Sequence, residues 1–460
     1  MESIFSKLQS ITENYYDGLS ELSIVPKKTI EEIKNYLRSK DLEHGENIEN
    51  TLDDLLPWMQ QGNIHVPHPG YFGLFNPATS FSAVIGDFLT ALFNPQMAAY
   101  SHAHFSNEVE STIIQLYLKK MNWPTNATGH FTSGGSEANF TAVLCALAHY
   151  FPAYLTEGLS GIKEKPRFYV STLAHNSFDK IAKNTGLGTA SVFKIPLKAD
   201  FTLDTDELTR QIKKDKENGY FPFLLVGTAG STPIGSIDPL KELSDLAKKE
   251  NMWLHVDAAW AGGAIISPVI AKQLQYIELA DSVTADAHKW LSVPMGAGMF
   301  FCKYPETVYK TFQTEALYMP SQTNNDPYQN SLLWSRRFIG LKVYMAFRVK
   351  GSIKLSAEIE KQLELAEYLA NGLVKKGWKL PVKSSLAVVV FTHEKLESLS
   401  SEKIAGFHKK IIDRGNSWFS ILKLNNNLYL RACITSIHTE EEHIEQLLNN
   451  LDEALAQLSD

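Results

Sequence analysis

From about residue 165 onward, short apolar runs alternate with longer stretches in which apolar residues recur every three or four positions. The runs Arg167–Thr172, Phe223–Thr228, Met252–Val256, Ser282–Ala285 and Met299–Cys302 are brief and bounded by Gly, Pro or charge, which predicts buried strands. Between them Asp204–Lys216 and Pro239–Lys249 read as helices, the second carrying Leu240, Leu243, Leu246 and Ala247 at helical spacing. Strand–helix alternation sustained over this length predicts a mostly parallel sheet covered on both faces. The fold class is therefore α/β.

Beyond residue 335 the texture changes. Arg336–Lys350 and Leu355–Lys376 are long helical patterns, the latter with Leu355, Ile359, Leu363, Ala366 and Leu373 repeating at three, four and seven. A strand (Leu386–Thr392), a helix (Glu402–Arg414), a strand (Leu428–Ile434) and a closing helix (Glu440–Leu458) then predict a smaller α+β unit. Residues 1–85 are mainly helical and end in a segment rich in Pro, Gly and aromatics, His65–Pro77. The expected division is a helical segment over 1–85, a large α/β domain over 86–345 and a small α+β domain over 346–460. Pro320–Asn330 is polar, turn-forming and almost free of hydrophobes, and reads as a mobile loop.

Composition narrows the function classes. With 44% hydrophobic and 21% charged residues the chain is built to fold, and a net charge of −7 without a basic stripe argues against a nucleic-acid partner. Cys145, Cys302 and Cys433 are odd in number and lie in apolar surroundings, so neither a disulfide framework nor a metal cluster is expected, and a reducing compartment is. Acidic residues interrupt Met1–Ser20, no secretory core is present, and no uncharged apolar run reaches the ~18 residues of a membrane span. The expectation is a soluble, cytoplasmic protein with no membrane partner.

Four segments carry candidate chemistry. Lys289 stands between His288 and Trp290 just after an expected strand; desolvation there favours the neutral amine, a nucleophile toward an aldehyde. Lysines beside tryptophan elsewhere mostly lie over the ring at the surface. Asp257, in His255-Val256-Asp257-Ala258-Ala259, ends an apolar strand. A carboxylate so placed is costly unless partnered, either by the turn it caps or by a cation such as a protonated pyridine nitrogen. Thr132-Ser133-Gly134-Gly135-Ser136-Glu137-Ala138 leads into a helix, so its glycines and free amides form either an anion cradle or a turn with an N-cap. His175, following the strand Arg167–Thr172, is placed to stack on an aromatic ligand or to serve as a hydrogen-bonded structural residue.

Together, HVDAAWAGG, the HKW around Lys289, the SGGSEA loop and the Ala-His-Asn-Ser segment resemble the group II pyridoxal-phosphate-dependent amino-acid decarboxylases, the aromatic-L-amino-acid decarboxylase-like family, from about His65 to Leu458. Members act on aromatic amino acids, histidine, glutamate and 2,4-diaminobutyrate. The resemblance implies the fold-type I, aspartate aminotransferase-like architecture with a smaller C-terminal domain. It also implies pyridoxal 5′-phosphate as cofactor, residues 1–85 as a dimerisation segment, and a homodimer with the active site at the subunit interface. Carried over residue by residue, Lys289 would hold the cofactor as an internal aldimine and Asp257 would pair with the pyridine nitrogen. Ala259 and His175 would pack on the two ring faces, Gly134, Gly135, Ser136 and His288 would bind the phosphate, and Thr228 would lie beside the phenolic oxygen. Tyr318, in EALYMP, falls where decarboxylating members place a loop tyrosine that protonates the substrate carbon; members with Phe there tend toward aldehyde formation.

Substrate choice is where the match loosens. The family's pocket draws on segments that here offer Phe75 and Asn76, and Gln96 and Ala98. Tyr71, Phe72, Phe75 and Tyr100 supply stacking area for an aromatic amino acid, whereas Asn76 and Gln96 are handles for a polar or acidic one. Arg336 and Arg337 read either as a carboxylate clamp or as structural ion-pair partners. Aldehyde synthesis, transamination and aldol-type lysis are rival reactions on the same cofactor, and a catalytically silent binding protein is the rival outside enzymes.

Overall fold

The computed structural model describes residues 2–76, 78–314, 326–383 and 385–458. The chain divides into two compact units, Thr79–Lys361 and a second assembled from both ends, Met1–Ala78 with Gln362–Asp460.

The first unit is built on seven strands: β1 (Thr128–Thr132), β2 (Lys165–Ser171), β3 (Val192–Ile195), β4 (Tyr220–Thr228), β5 (Trp253–Ala258), β6 (Ser282–Asp286) and β7 (Gly298–Cys302). Their spatial order is β1-β7-β6-β5-β4-β2-β3. Only β7 runs against its neighbours; every other pairing within the sheet is parallel. This is the α/β architecture that the alternating runs imply. The central strands are buried along their length, which is why they read as continuous apolar runs. The helix Gly135–Tyr150 is buried on most of its circumference, and its Ala138, Ala142, Val143 and Cys145 pack with Phe168, Phe223, Val226 and Phe300 of the strands.

Several boundaries differ from the sequence pattern for identifiable reasons. β4 starts at Tyr220 and includes Pro222, because the β2–β4 register shifts beside Arg167, the Pro222 partner, and such an irregularity tolerates a missing amide. β1 is not legible in the apolar pattern because Thr-Gly-His-Phe-Thr carries a single large hydrophobe; pairing with β7 makes it a strand. The two long C-terminal helical patterns form one run, Gly340–Lys375, broken at Gly351, whose φ of 70° only glycine adopts readily.

In the second unit β8 (Val388–Phe391), β9 (Trp418–Leu424) and β10 (Asn427–Cys433) form a sheet ordered β9-β10-β8, extended at its β9 edge by the two-residue strand Tyr71–Phe72, which pairs in parallel with Trp418 and Phe419. β9 was not expected from the pattern, since Ser420 and Lys423 interrupt its apolar residues.

Arg336 and Arg337 are structural ion-pair partners. The buried Glu110 carboxylate accepts from both terminal nitrogens of Arg336 at 3.0 and 2.6 Å and from the amides of Ile339 and Gly340, the start of the long helix. Arg337 reaches Asp87 at 3.0 Å. Replacing Glu110 with Ala leaves a buried guanidinium and two amides without their acceptor, so a loss of about 3–5 kcal/mol in unfolding free energy is expected from chemical denaturation. A loss below about 1 kcal/mol would show that this cluster does not hold the helix start.

Candidate active site

Strand register sets the site. Thr228 on β4, Asp257 on β5 and Thr284 on β6 are direct partners in one row across the sheet, at or near the carboxyl ends of their strands. In open α/β sheets that edge is where ligands bind. The helix Gly135–Tyr150 begins at the same edge, just after β1; the amides of Glu137 and Ala138 donate to the Gly134 carbonyl, while those of Gly135 and Ser136 precede the first intrahelical bond.

A cavity of about 350 Å³ opens there, lined by Gly134, Gly135, Ser136, His175, Thr228, Asp257, Ala259, His288 and Lys289. The structure thus brings together all nine residues singled out for cofactor binding. Of the residues considered for substrate, Gln96 and Ala98 lie elsewhere in the same unit: the Ala98 amide donates to Gln96 Oε1, and Ala98 packs against Tyr328 and Trp334. Phe75 and Asn76 belong to the other unit, where the Arg431 guanidinium lies 5.0 Å over the Phe75 ring. Tyr318 falls outside the described residues.

Each wall has a local cause. Trp253, His255 and Asp257 share one face of β5 by strand alternation, and the Gly135–Tyr150 helix covers that face. Asp257 is 5% exposed; its Oδ2 accepts from Asn139 Nδ2 at 2.9 Å and its Oδ1 from the Ala259 amide at 3.1 Å. Lys289 sits on the short helix Ala287–Trp290 directly after β6, its Nζ 3.2 Å from Asp286 Oδ2. Trp260, three residues past Asp257, stacks on Trp290 at 4.1 Å with both rings buried, which pins the lysine segment to the aspartate segment.

The glycine loop is shaped for close approach. A Cβ on Gly135 would lie 3.0 Å from both Ala259 Cβ and Asp286 Oδ2, and one on Gly298 would meet Thr132 Oγ1 at 2.5 Å. His288 Nδ1 accepts from the Ala297 amide at 3.1 Å, so the neutral ring carries its proton on Nε2. Burial lowers the His288 pKa despite the nearby Asp286. His175 Nδ1 likewise accepts from the Ser177 amide at 3.2 Å, and its ring is exposed.

This arrangement fits pyridoxal 5′-phosphate. Thr228 Oγ1 is buried at the cavity with at most a weak contact to Asp238, and a small-residue cradle at a helix N-terminus suits an anion. A buried carboxylate and an amine complete the donor set for a ring nitrogen and an aldehyde.

Residues 31–394 match the conserved domain of pyridoxal-dependent decarboxylases. The chain belongs to that family. As a member it is a carboxy-lyase acting on an amino acid with pyridoxal 5′-phosphate as its cofactor. It is 31% identical over 403 residues to an aromatic-L-amino-acid decarboxylase of Bacillus atrophaeus, covering 85% of this chain and 82% of that one. It is 27% identical over 450 residues to a 4-hydroxyphenylacetaldehyde synthase of Rhodiola rosea, covering 95% and 91%. In three dimensions it resembles Oryza sativa TDC with PLP and tryptamine, with a TM-score of 0.94 at 21% identity over 100% and 98% of the two chains.

Sequence reasoning missed Asn139, Asp286 and Trp260, all of which line this decarboxylase's cavity. Their only trace in the sequence is proximity, too weak to single them out: Asn139 lies four residues beyond Gly135, Asp286 three before Lys289, and Trp260 three after Asp257. A Gly135→Val substitution should weaken cofactor binding at least about tenfold, measured by fluorescence titration, with the far-ultraviolet dichroism unchanged. Unaltered affinity would mean that the ligand does not approach this backbone.

Proposed function

We propose that the enzyme converts an L-amino acid, an aromatic one as first choice, to the corresponding amine and carbon dioxide, with Lys289 as the residue that carries the cofactor. The observation behind this reading is the convergence, in one cavity, of a lysine amine, a buried strand-end carboxylate and a glycine-rich helix start. In this reading Asp257 faces the pyridine nitrogen, while His175 and Ala259 flank the ring. Gly134, Gly135, Ser136 and His288 would hold the phosphate, and Thr228 would serve the phenolic oxygen. When bound, the cofactor supplies a cationic ring that accepts the electron pair left by the departing carboxylate.

The protein's own share is orientation and proton placement. Asp257 presents a fixed negative charge from the floor of the cavity. Lys289 Nζ rests beside Asp286, which holds the amine at the cavity wall. Tyr318 is proposed to deliver the proton that replaces the carboxylate on the substrate carbon. A homodimer is part of the proposal, as is a contribution of Phe75, Asn76, Gln96 and Ala98 to substrate choice. The likeness to an aromatic-amino-acid decarboxylase over most of the chain supports an aromatic substrate. Likeness to an aldehyde synthase keeps decarboxylation-dependent aldehyde formation as the second reading.

Carbon dioxide release from the cofactor-loaded enzyme across the twenty amino acids tests the substrate, with the highest kcat/KM expected for an aromatic one; preference for glutamate or another polar amino acid would defeat that choice. Borohydride treatment followed by peptide mass spectrometry should place the cofactor mass on the Lys289 peptide. Lys289→Ala should lose both that label and turnover, and a labelled, active variant would refute the assignment. Tyr318→Phe should divert product from amine toward aldehyde with oxygen uptake, whereas an unchanged amine yield would remove Tyr318 from the reaction.

A further inference from the structure

Behind Asp257 runs a buried line of polar side chains that the reaction as described does not use. Trp253 Nε1 donates to Ser282 Oγ at 2.8 Å; that oxygen lies 2.9 Å from His255 Nδ1; His255 Nε2 lies 3.0 Å from Asn139 Oδ1; and Asn139 Nδ2 donates to Asp257 Oδ2 at 2.9 Å. All are at most 5% exposed. Trp253, His255 and Asp257 come from alternate positions of β5, so the line follows one strand face for about 13 Å.

Chemistry sets the direction of every bond but the one between Ser282 and His255, which follows from the charge of the ring. The Asp257 carboxylate only accepts, which turns the Asn139 amide so that its nitrogen faces Asp257 and its oxygen faces His255. An amide oxygen only accepts, so His255 Nε2 carries a proton. The indole nitrogen only donates, so Ser282 Oγ accepts from Trp253; when His255 is neutral, the Ser282 hydroxyl hydrogen goes to His255 Nδ1. Neutral His255, protonated on Nε2 alone, satisfies every member. Burial lowers the His255 pKa to about 4, in keeping with a neutral ring.

We infer that His255, Asn139 and Ser282 are positioning residues that form a one-way donor chain, fixing the Asp257 carboxylate by hydrogen bonds without placing a counter-charge beside it. A protonated histidine in this place would neutralise part of the charge that the cofactor's ring nitrogen is to meet. A neutral chain whose donors all point the same way favours the ionised carboxylate and leaves its charge for the ligand. This inference rests on the reading of Asp257 as partner of the ring nitrogen.

Neutron diffraction from crystals of the cofactor-loaded enzyme reads the chain directly. The expected map has a deuteron on His255 Nε2 and none on Nδ1, with the Ser282 hydroxyl deuteron toward His255; a deuteron on Nδ1, alone or with Nε2, overturns the inference. In solution, His255→Phe and Ser282→Ala should shift the nitrogen-15 resonance of the labelled cofactor's ring nitrogen toward its unprotonated position. They should lower kcat at least about tenfold while KM changes by less than about threefold. A ring-nitrogen signal identical to that of the parent in both variants would reduce the line to core packing and sink the inference. Loss of the Lys289 label in the parent enzyme would instead sink the reading of the site, and the His255 deuteron positions do not depend on that label.

Discussion

One buried negative charge organises this protein. The Asp257 carboxylate sits at the end of a central strand, away from water, where an ionised group costs several kcal/mol unless its oxygens are occupied. Its neighbours are arranged around that demand: one oxygen is held by the turn that follows the strand, the other by an asparagine from the covering helix. The helix in turn starts at the sheet edge because β1 delivers it there, so meeting the needs of the carboxylate and forming the anion cradle are consequences of the same placement.

Much of this was legible in the chain, and the illegible part has physical reasons. The central strands were readable because burial on both faces makes them short, unbroken apolar runs, as in Trp253–Ala258 and Ser282–Asp286. Edge and partner-dependent strands were not: β1 and β9 hold polar residues that only pairing places in a sheet. Among site residues, glycine, lysine and aspartate at strand ends advertise themselves because few structural roles require them there. Asn139 does not, since an asparagine inside a helix looks like surface until the strand beneath it is known. The same holds for Trp260 and Trp290, whose partnership spans thirty positions of sequence and is visible only once two strands lie side by side.

The ambiguity of Arg336 and Arg337 shows the limit from the other side. Two adjacent arginines invite a role in binding a carboxylate substrate, yet the carboxylates they meet are Glu110 and Asp87 of the same chain. Charge type alone does not separate recognition from architecture; burial of the Arg336–Glu110 pair and contact of Glu110 with the start of the next helix do.

The unit assembled from both chain ends carries a consequence for biosynthesis. Tyr71 and Phe72 pair with Trp418 and Phe419, so a strand made early waits for one made late. A ribosome adding about 5–20 residues per second needs on the order of fifteen seconds to a minute to make the intervening stretch. During that interval the nascent head of the polypeptide lacks the sheet it completes, while the unit between can already collapse around its own strands.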